Sequence, residues 1–429
     1  VVITDENGQE IQNVRLDQGA RVQVDFAWKL EAGHGYTAGS TFVFDLPDNF
    51  KTDRELTGKL EGDVGEIGTY KVTPEGQVTF TFTFDESLEG EELSGNFYVW
   101  RQFDKTKLSG STHQEIEFQY DGNAYANIPV HFKSAVTSNI EKSGTPDKEM
   151  NPSSINWAVR FNMKEDSIKN AVFKDTLPAG LEIDPASVKA TKLDVQLDGS
   201  TKLGDTATPT FDSASPTEFS LAFGDIDGAY QVEYTTKIKG TGNKTYTNKA
   251  EVTGDGATTL SKSASVSAKY IPPLDKKTTS YDSVTQTVGW SIQMNLNERQ
   301  IDQVDAKLTD TFGPLEKLVS LEVFPLTVDA SGKATRSGAA LAEGTAYTVD
   351  KDDTNGAFTL QFLGDINSAY EIAYQTTSKE RVFADRPIKN TVVFGTETEE
   401  ATRNIQQVIF KKNNGTVNYA SKTIAWSLN

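Results

Sequence analysis

Apolar residues alternate with polar or small residues along much of this chain. Two runs show the alternation most clearly: Val22, Val24, Phe26 and Trp28, and then Val78, Phe80, Phe82 and Phe84. A period of two places these side chains on one face of a β-strand. Turn-forming clusters at 121–123 and 253–256 separate such runs, and no amphipathic helix longer than about three turns is apparent. We therefore predict an all-β chain of tandem immunoglobulin-like β-sandwich domains.

One segment of the sequence occurs twice in full and begins a third time. Its landmark is a strand that carries a tryptophan, at 155–162 (INWAVRFN), 288–295 (VGWSIQMN) and 424–429 (IAWSLN). An internal repeat of this length indicates that the same domain recurs. We interpret the recurring Trp157 and Trp290 as core residues rather than as a surface for ligands.

The repeat sets the domain boundaries. Residues 1–135 form a first, divergent domain, residues 136–272 a first repeat and residues 273–412 a second repeat. Residues 413–429 hold only the opening strands of a third copy. The joint between the repeats is short and contains two prolines, so we expect stiff, end-to-end domains.

Composition excludes several classes of function. The chain has 429 residues and a formal net charge of −19, which opposes binding to nucleic acids and to anionic membranes. It has no cysteine and three histidines, so thiolate metal sites and disulfides are excluded and we predict no cofactor or bound metal. Motifs typical of hydrolases or of nucleotide binding are lacking, and no apolar run is long enough for membrane insertion. We expect a monomer that is not an enzyme with turnover.

One set of polar residues recurs in both complete repeats, and its residue types suggest a chemical reaction. Each complete repeat holds a lysine near its start, an aspartate in its second strand region and an asparagine near its end: Lys142, Asp175 and Asn248, and then Lys277, Asp310 and Asn390. The same number of residues separates the lysine from the aspartate in both sets. Lys276 is a rival for Lys277, and only this equal spacing favours the latter.

These residue types suit an internal crosslink. Burial lowers the pKa of a lysine amine, and the neutral amine is a nucleophile towards an asparagine carbonyl. A buried aspartic acid stays protonated, donates to that carbonyl and shuttles protons. We predict that Asp175 and Asp310 promote one Lys–Asn isopeptide bond in each repeat, formed once with loss of ammonia. The first domain has no lysine before Trp28, so no crosslink is predicted there.

The residues resemble those of a known family. In the repeat these are 142–145 (KSGT), the Trp157 strand, 175–181 (DTLPAGL) and 246–250 (YTNKA); in the first domain they are 14–19 (VRLDQG), 42–47 (FVFDLP), 68–70 (GTY) and 78–84 (VTFTFTF). The repeat resembles the collagen-binding-type (MSCRAMM-like) domain of Gram-positive surface adhesins. The first domain resembles the N-terminal subdomain of the same proteins.

The resemblance implies a secreted, cell-wall-anchored protein with isopeptide-hardened, immunoglobulin-like domains. Its partner would be an extracellular-matrix protein, collagen first, clasped between residues 1–135 and 136–272. We expect the signal and sorting segments to lie outside these residues. The alternative is a structural stalk whose modules project a ligand-binding part located elsewhere.

The final segment carries its own expectation. Residues 413–429 would expose an apolar strand face, so we predict that they are mobile or docked on a sheet edge. Lys411 and Lys412 stand at the crosslink position, but no matching aspartate or asparagine follows. We predict no crosslink there.

Overall fold

The chain folds almost entirely into β-strands. The computed structural model describes residues 1–51, 54–108, 110–240, 242–407 and 415–426. In this part of the chain the only helical elements are two single 3-10 turns, Ile11–Asn13 and Glu86–Leu88. None of its helices is long and apolar enough to cross a bilayer. The predicted all-β class is confirmed.

The described residues of the first domain form eleven strands in two sheets. They are β1 Val2–Thr4, β2 Arg15–Leu16, β3 Arg21–Leu30, β4 Thr41–Asp45, β5 Phe50–Lys51, β6 Leu56–Gly62, β7 Gly65–Val72, β8 Gln77–Phe82, β9 Leu93–Phe103, β10 His113–Tyr120 and β11 Asn123–Phe132. The larger sheet runs β1-β3-β9-β6-β7-β8-β4, with β5 against β9, and the smaller runs β10-β11-β2. Phe26 and Phe97 from the larger sheet and Phe118 from the smaller one pack together in the core.

The first repeat is a sandwich of two five-stranded sheets. Its strands are β12 Ile140–Pro146, β13 Ser154–Phe161, β14 Ile168–Thr176, β15 Leu181–Val195, β16 Thr201–Ala207, β17 Thr210–Ser215, β18 Glu218–Ile226, β19 Ala229–Ile238, β20 Lys244–Asp255 and β21 Leu260–Ala268. One sheet runs β12-β13-β19-β15-β16 and the other β17-β18-β14-β20-β21, with antiparallel pairing throughout. Alternation along each strand turns one face of each sheet into the shared core.

The second repeat has the same topology. Its strands are β22 Leu274–Asp282, β23 Thr287–Met294, β24 Lys307–Thr311, β25 Glu316–Val328, β26 Ala334–Arg336, β27 Tyr347–Asp352, β28 Ala357–Phe362, β29 Ala369–Ser378, β30 Arg386–Phe394 and β31 Glu397–Ile405. Its sheets run β22-β23-β29-β25-β26 and β27-β28-β24-β30-β31, so each strand has a counterpart in the first repeat. Trp157 and Trp290 are buried in the two cores, as predicted, and each indole N–H donates to a threonine of the neighbouring strand.

Two joints connect the domains. At the first joint, the backbone N–H of Thr112 donates to the carbonyl of Val195 at 2.9 Å, and Leu197 packs into the core of the first domain. At the second joint, the N–H of Met150 donates to the carbonyl of Ala330 at 3.0 Å. Each joint therefore has direct contacts beyond the connecting segment.

The final described residues form a hairpin of their own. Strands β32 Thr416–Asn418 and β33 Thr423–Ala425 pair with each other, and within the described ranges neither pairs with another sheet. Ile424 and Trp426 are about half exposed. The prediction about Lys411 and Lys412 concerns residues outside the described ranges.

The close packing of the first repeat generates a prediction at Gly144. This glycine lies opposite Trp157 in the β12–β13 register, and a Cβ atom there would lie 2.5 Å from the indole ring. We expect Gly144→Ala to lower the free energy of unfolding by about 1–3 kcal/mol, the usual cost of overpacking a core. Gly228→Ala is the matched control, because a Cβ there has no neighbour within 4 Å. Equal stability of the two variants in urea denaturation would contradict this packing.

Candidate functional site: two buried lysine, aspartate and asparagine clusters

The three polar residues predicted for the first repeat meet between its two sheets. Lys142 comes from β12 in one sheet, and Asp175 and Asn248 come from β14 and β20 in the other. Asp175 is paired in register with Ala250, so Asn248 lies on the same face one strand over. The side chains of Lys142 and Asp175 are fully buried. The site thus spans the core from sheet to sheet.

A tyrosine that sequence reasoning missed completes this first cluster. Lys142 Nζ lies 2.5 Å from Asp175 Oδ2 and 2.6 Å from the hydroxyl of Tyr234. That hydroxyl donates to Asp175 Oδ2 at 2.5 Å and accepts from Asn248 Nδ2 at 3.0 Å. Tyr234 therefore contacts all three predicted residues and holds them in one network.

The second cluster repeats this arrangement with a different lysine from the one predicted. Lys276 donates to Asp310 and, at 2.7 Å, to the hydroxyl of Tyr374. Tyr374 donates to Asp310 Oδ1 at 2.8 Å and accepts from Asn390 Nδ2 at 2.8 Å. The side chain of Lys277 is 55% exposed and lies beside Asp275. The prediction of Lys277 is wrong, and Lys276 occupies the site.

Strand alternation explains why the number of residues between lysine and aspartate predicted the wrong lysine. Lys142 follows the buried Ile140 by two positions, and Lys276 follows the buried Leu274 by two positions. A shift by one residue turns a side chain to the opposite face of a strand. Lys277 therefore points away from the core, and the second repeat simply has one residue more between its lysine and aspartate.

Burial dominates the electrostatics of both clusters. Loss of solvation lowers the pKa of the Lys142 amine and raises the pKa of the Asp175 carboxyl, although their mutual attraction opposes both shifts. The pKa values of Lys276 and Asp310 shift in the same directions for the same reason. These directions favour an uncharged amine beside an uncharged carboxyl group.

The tyrosines remain protonated in this environment. Burial, and then the nearby aspartate, raises the pKa of Tyr234 and of Tyr374 well above the ordinary value. Each hydroxyl is thus a hydrogen-bond donor at neutral pH. The repeat carried a signal for them, because Tyr234 and Tyr374 occupy matching places in the segments AYQVEYTT and AYEIAYQT.

Several oxygens in the clusters lack a partner. Asp175 Oδ1, Asn248 Oδ1 and Asn390 Oδ1 are buried and have no hydrogen-bond partner among the described residues. An unsatisfied buried carbonyl is costly, and a protonated carboxyl group is the donor that would satisfy it. The asparagine carbonyls are thus open to a proton donor from the adjacent aspartic acid.

The two lysines generate a matched prediction. Lys276→Met removes the buried amine that donates to Asp310 and Tyr374, so we expect a loss of about 1–3 kcal/mol in the free energy of unfolding from these hydrogen bonds. Lys277→Met changes an exposed residue and should stay within about 0.5 kcal/mol of the parent. Denaturant unfolding followed by tryptophan fluorescence measures both. Equal losses for the two variants would contradict the placement of Lys276.

Comparison with known families finds matches over most of the chain. A model described as collagen binding domain matches residues 137–263 and again residues 273–405. A model described as bacterial Ig domain matches residues 15–113. A search of curated proteins finds no match.

Several solved structures are similar in part. A structure of the Enterococcus faecalis MSCRAMM ACE, which is described as binding its ligands by the collagen hug model, shares 17% identity and covers 60% of this chain and 93% of its own, with a TM-score of 0.27. The collagen adhesin CNA from S. aureus shares 14% identity and covers 62% of this chain and 92% of its own, with a TM-score of 0.24. The collagen binding domain of the Erysipelothrix rhusiopathiae surface protein RspB shares 14% identity and covers 60% and 94%, with a TM-score of 0.23.

Proposed function

The chain belongs to the collagen-binding domain family, and from this premise we propose that it is a bacterial surface adhesin that binds collagen across residues 1–272. The match of one family model to both repeats is the observation that carries this proposal. An extracellular location at the cell wall and a monomeric state belong to the same proposal. Within it, each repeat is hardened by one Lys–Asn isopeptide bond.

The first cluster has the groups that such a bond requires. The neutral Nζ of Lys142 attacks the side-chain carbonyl carbon of Asn248, which forms the new N–C bond. Asp175 donates a proton to the carbonyl oxygen as charge develops there, and the carboxyl group returns to its starting state after passing a proton from Nζ to the leaving nitrogen. The C–Nδ2 bond breaks and ammonia leaves. Lysine amine plus asparagine amide thus give one secondary amide and one ammonia.

The second cluster supports the same reaction. Lys276 takes the place proposed for the nucleophile, Asn390 supplies the carbonyl carbon and Asp310 is the proton shuttle. Tyr374 holds the amine and the amide, as Tyr234 does in the first repeat. Each reaction happens once in the life of the chain, so the protein is not an enzyme with turnover.

An intact-mass measurement tests the crosslinks. We expect the full chain to be lighter than its sequence mass by two ammonia molecules. Asp175→Ala should restore one of them and Asp310→Ala the other, because the carbonyl then lacks its proton donor. Lys276→Met should restore one ammonia and Lys277→Met none. A full chain at its sequence mass would end this part of the proposal.

The crosslinks would stabilise each sandwich chiefly through the unfolded state. Each bond ties residues about 100 positions apart, and the chain-entropy relation for a closed loop of that length gives about 4–5 kcal/mol. A chain without cysteine has no disulfide to do the same. In an extracellular setting, the isopeptide bond would therefore restrict the unfolded chain in the way that a disulfide does in other proteins.

The first joint supports the placement of collagen between the first two domains. Collagen is a rod that exposes few features per unit length, so a binding protein needs an extended surface to hold it. The first domain differs from the repeats, and backbone hydrogen bonds fix its position on the first repeat. Two domains held in a defined relation provide a longer surface than one.

The second joint offers a competing place for a ligand. A groove lies there between the two repeats, lined in part by Asn151, Lys239, Tyr270, Glu298 and Asp302. Both domains that border it match the collagen-binding model. A structural stalk without collagen affinity is the further alternative.

Matched insertions in the full chain distinguish these cases. We expect a flexible Gly/Ser insertion of about ten residues between residues 136 and 137 to reduce affinity for immobilised collagen at least about tenfold, because the two surfaces are no longer held together. The same insertion between residues 271 and 272 should leave affinity unchanged. Surface plasmon resonance measures both. The reverse pattern would move the ligand to the second joint, and no binding by the parent chain would favour the stalk.

A further inference from the structure

Two of the three histidines in the chain meet at the first joint. His113 on β10 and His131 on β11 are direct partners in the strand register, and their rings stack with centroids 3.9 Å apart. Glu165, from the turn after β13 in the first repeat, reaches them across the joint. Its Oε2 lies 2.9 Å from His131 Nε2, and its Oε1 lies 3.4 Å from His113 Nε2. The first domain thus supplies two imidazoles and the first repeat one carboxylate.

The local structure fixes the carboxylate. Glu165 has a positive φ of 55°, in a turn held by hydrogen bonds from its own N–H to the Asn162 carbonyl and from the Asp166 N–H to Asn162 Oδ1. Its side chain is 5% exposed, and Oε2 accepts from the hydroxyl of Thr112 at 2.8 Å. A hydrogen bond of this kind orients a ligating carboxylate in metal sites.

The three side chains lie near the spacing of a metal site: the 3.4 Å between Glu165 and His113 fits one, and the 2.9 Å hydrogen bond between Glu165 and His131 would lengthen on binding. One ligand atom from each lies within 4.8 Å of the others. Ligands of a tetrahedral zinc ion, with bonds near 2.0–2.1 Å, lie about 3.3–3.5 Å apart. Two imidazoles and one carboxylate are a ligand set that suits zinc and is found with water as a fourth ligand.

At the second joint, the glutamate of the matching turn contacts residues other than histidine. Glu298 occupies the matching place, also with a positive φ, and its carboxylate faces Lys148 at 3.2 Å and Asn151 at 3.5 Å. An ammonium group and an amide N–H complete an ordinary polar contact and cannot ligate a metal. The first joint instead presents two imidazoles, on paired strands of the first domain, to the matching turn.

Solvent can reach the histidine side of the cluster. The side chain of His113 is 57% exposed, and a groove that includes Gln12 and Pro129 opens beside the two rings. The acidic surface of the chain, with a net charge of −19, raises the local concentration of cations. We propose that His113, His131 and Glu165 form a zinc site, with water as the fourth ligand, that joins the first domain to the first repeat.

Calorimetric titration of the full chain with Zn²⁺ tests the site, and this test does not depend on collagen binding. We expect one ion per chain in a chelator-free buffer, and no comparable binding of Mg²⁺ or Ca²⁺, which prefer oxygen ligands. His131→Ala and Glu165→Gln should each weaken binding by at least about tenfold, since loss of even an outer-sphere partner costs 10–100-fold. Folding of each variant is checked by circular dichroism.

Two control variants and one second readout keep the proposal falsifiable. His34→Ala removes the remaining histidine and Glu298→Gln changes the matching turn, so both should bind zinc as the parent does. Zinc should also slow hydrogen exchange of the Thr112 amide, which bonds across the first joint, and leave the Met150 amide at the second joint unchanged. Absence of saturable binding would overturn the site. Zinc binding that survives Glu165→Gln would overturn its role in joining the domains.

Discussion

The burial of a lysine amine beside an aspartic acid, between two sheets, is the constraint on which each repeat depends. A charged pair loses its hydration in such a place, and well-packed apolar residues would serve stability equally well. Burial at this low-dielectric site instead lowers the pKa of the Lys142 amine and raises the pKa of the Asp175 carboxyl group, and Asn248 joins the same network through the Tyr234 hydroxyl. The sandwich thus excludes solvent from the groups that the proposed crosslink requires.

The cluster forms only when the two sheets of the repeat pack together. Lys142 reaches the core from the first strand of one sheet, and its partners lie on adjacent strands of the other. Only when both sheets are packed do the three groups share one site. The aromatic residues serve the same end, because the Tyr234 hydroxyl spans the gap while its ring packs against Phe219. Folding therefore precedes any chemistry that the cluster performs.

Local patterns in the sequence were enough to predict the fold class and much of each cluster. Period-two alternation and the recurrence of the Trp157 strand predicted the sandwiches, and recurrence of Asp175 and Asn248 as Asp310 and Asn390 predicted their meeting. The prediction of Lys277 over Lys276 was wrong because it relied on equal spacing along the chain and not on the alternation of buried and exposed residues in the strand. Distance along the chain tolerates an extra residue in a loop, whereas the face of a strand does not.

Other features lay beyond any local pattern. Tyr234 enters the cluster from β19, and its recurrence as Tyr374 marks it as a repeated residue without distinguishing it from a core tyrosine. The meeting of Glu165 with His131 depends on how two domains pack, which no single segment encodes. Contacts of this kind follow from the relative placement of whole sheets.

The turn at each joint has a consequence for how such proteins lengthen. The first repeat carries Glu165 at one joint and the residues that receive Glu298 at the other, so a single module holds both halves of the connection. A gene duplication that copies this module in frame therefore also copies both the turn that carries the glutamate and the residues that contact such a glutamate. Arrays of different length can then arise by recombination without a new interface having to evolve.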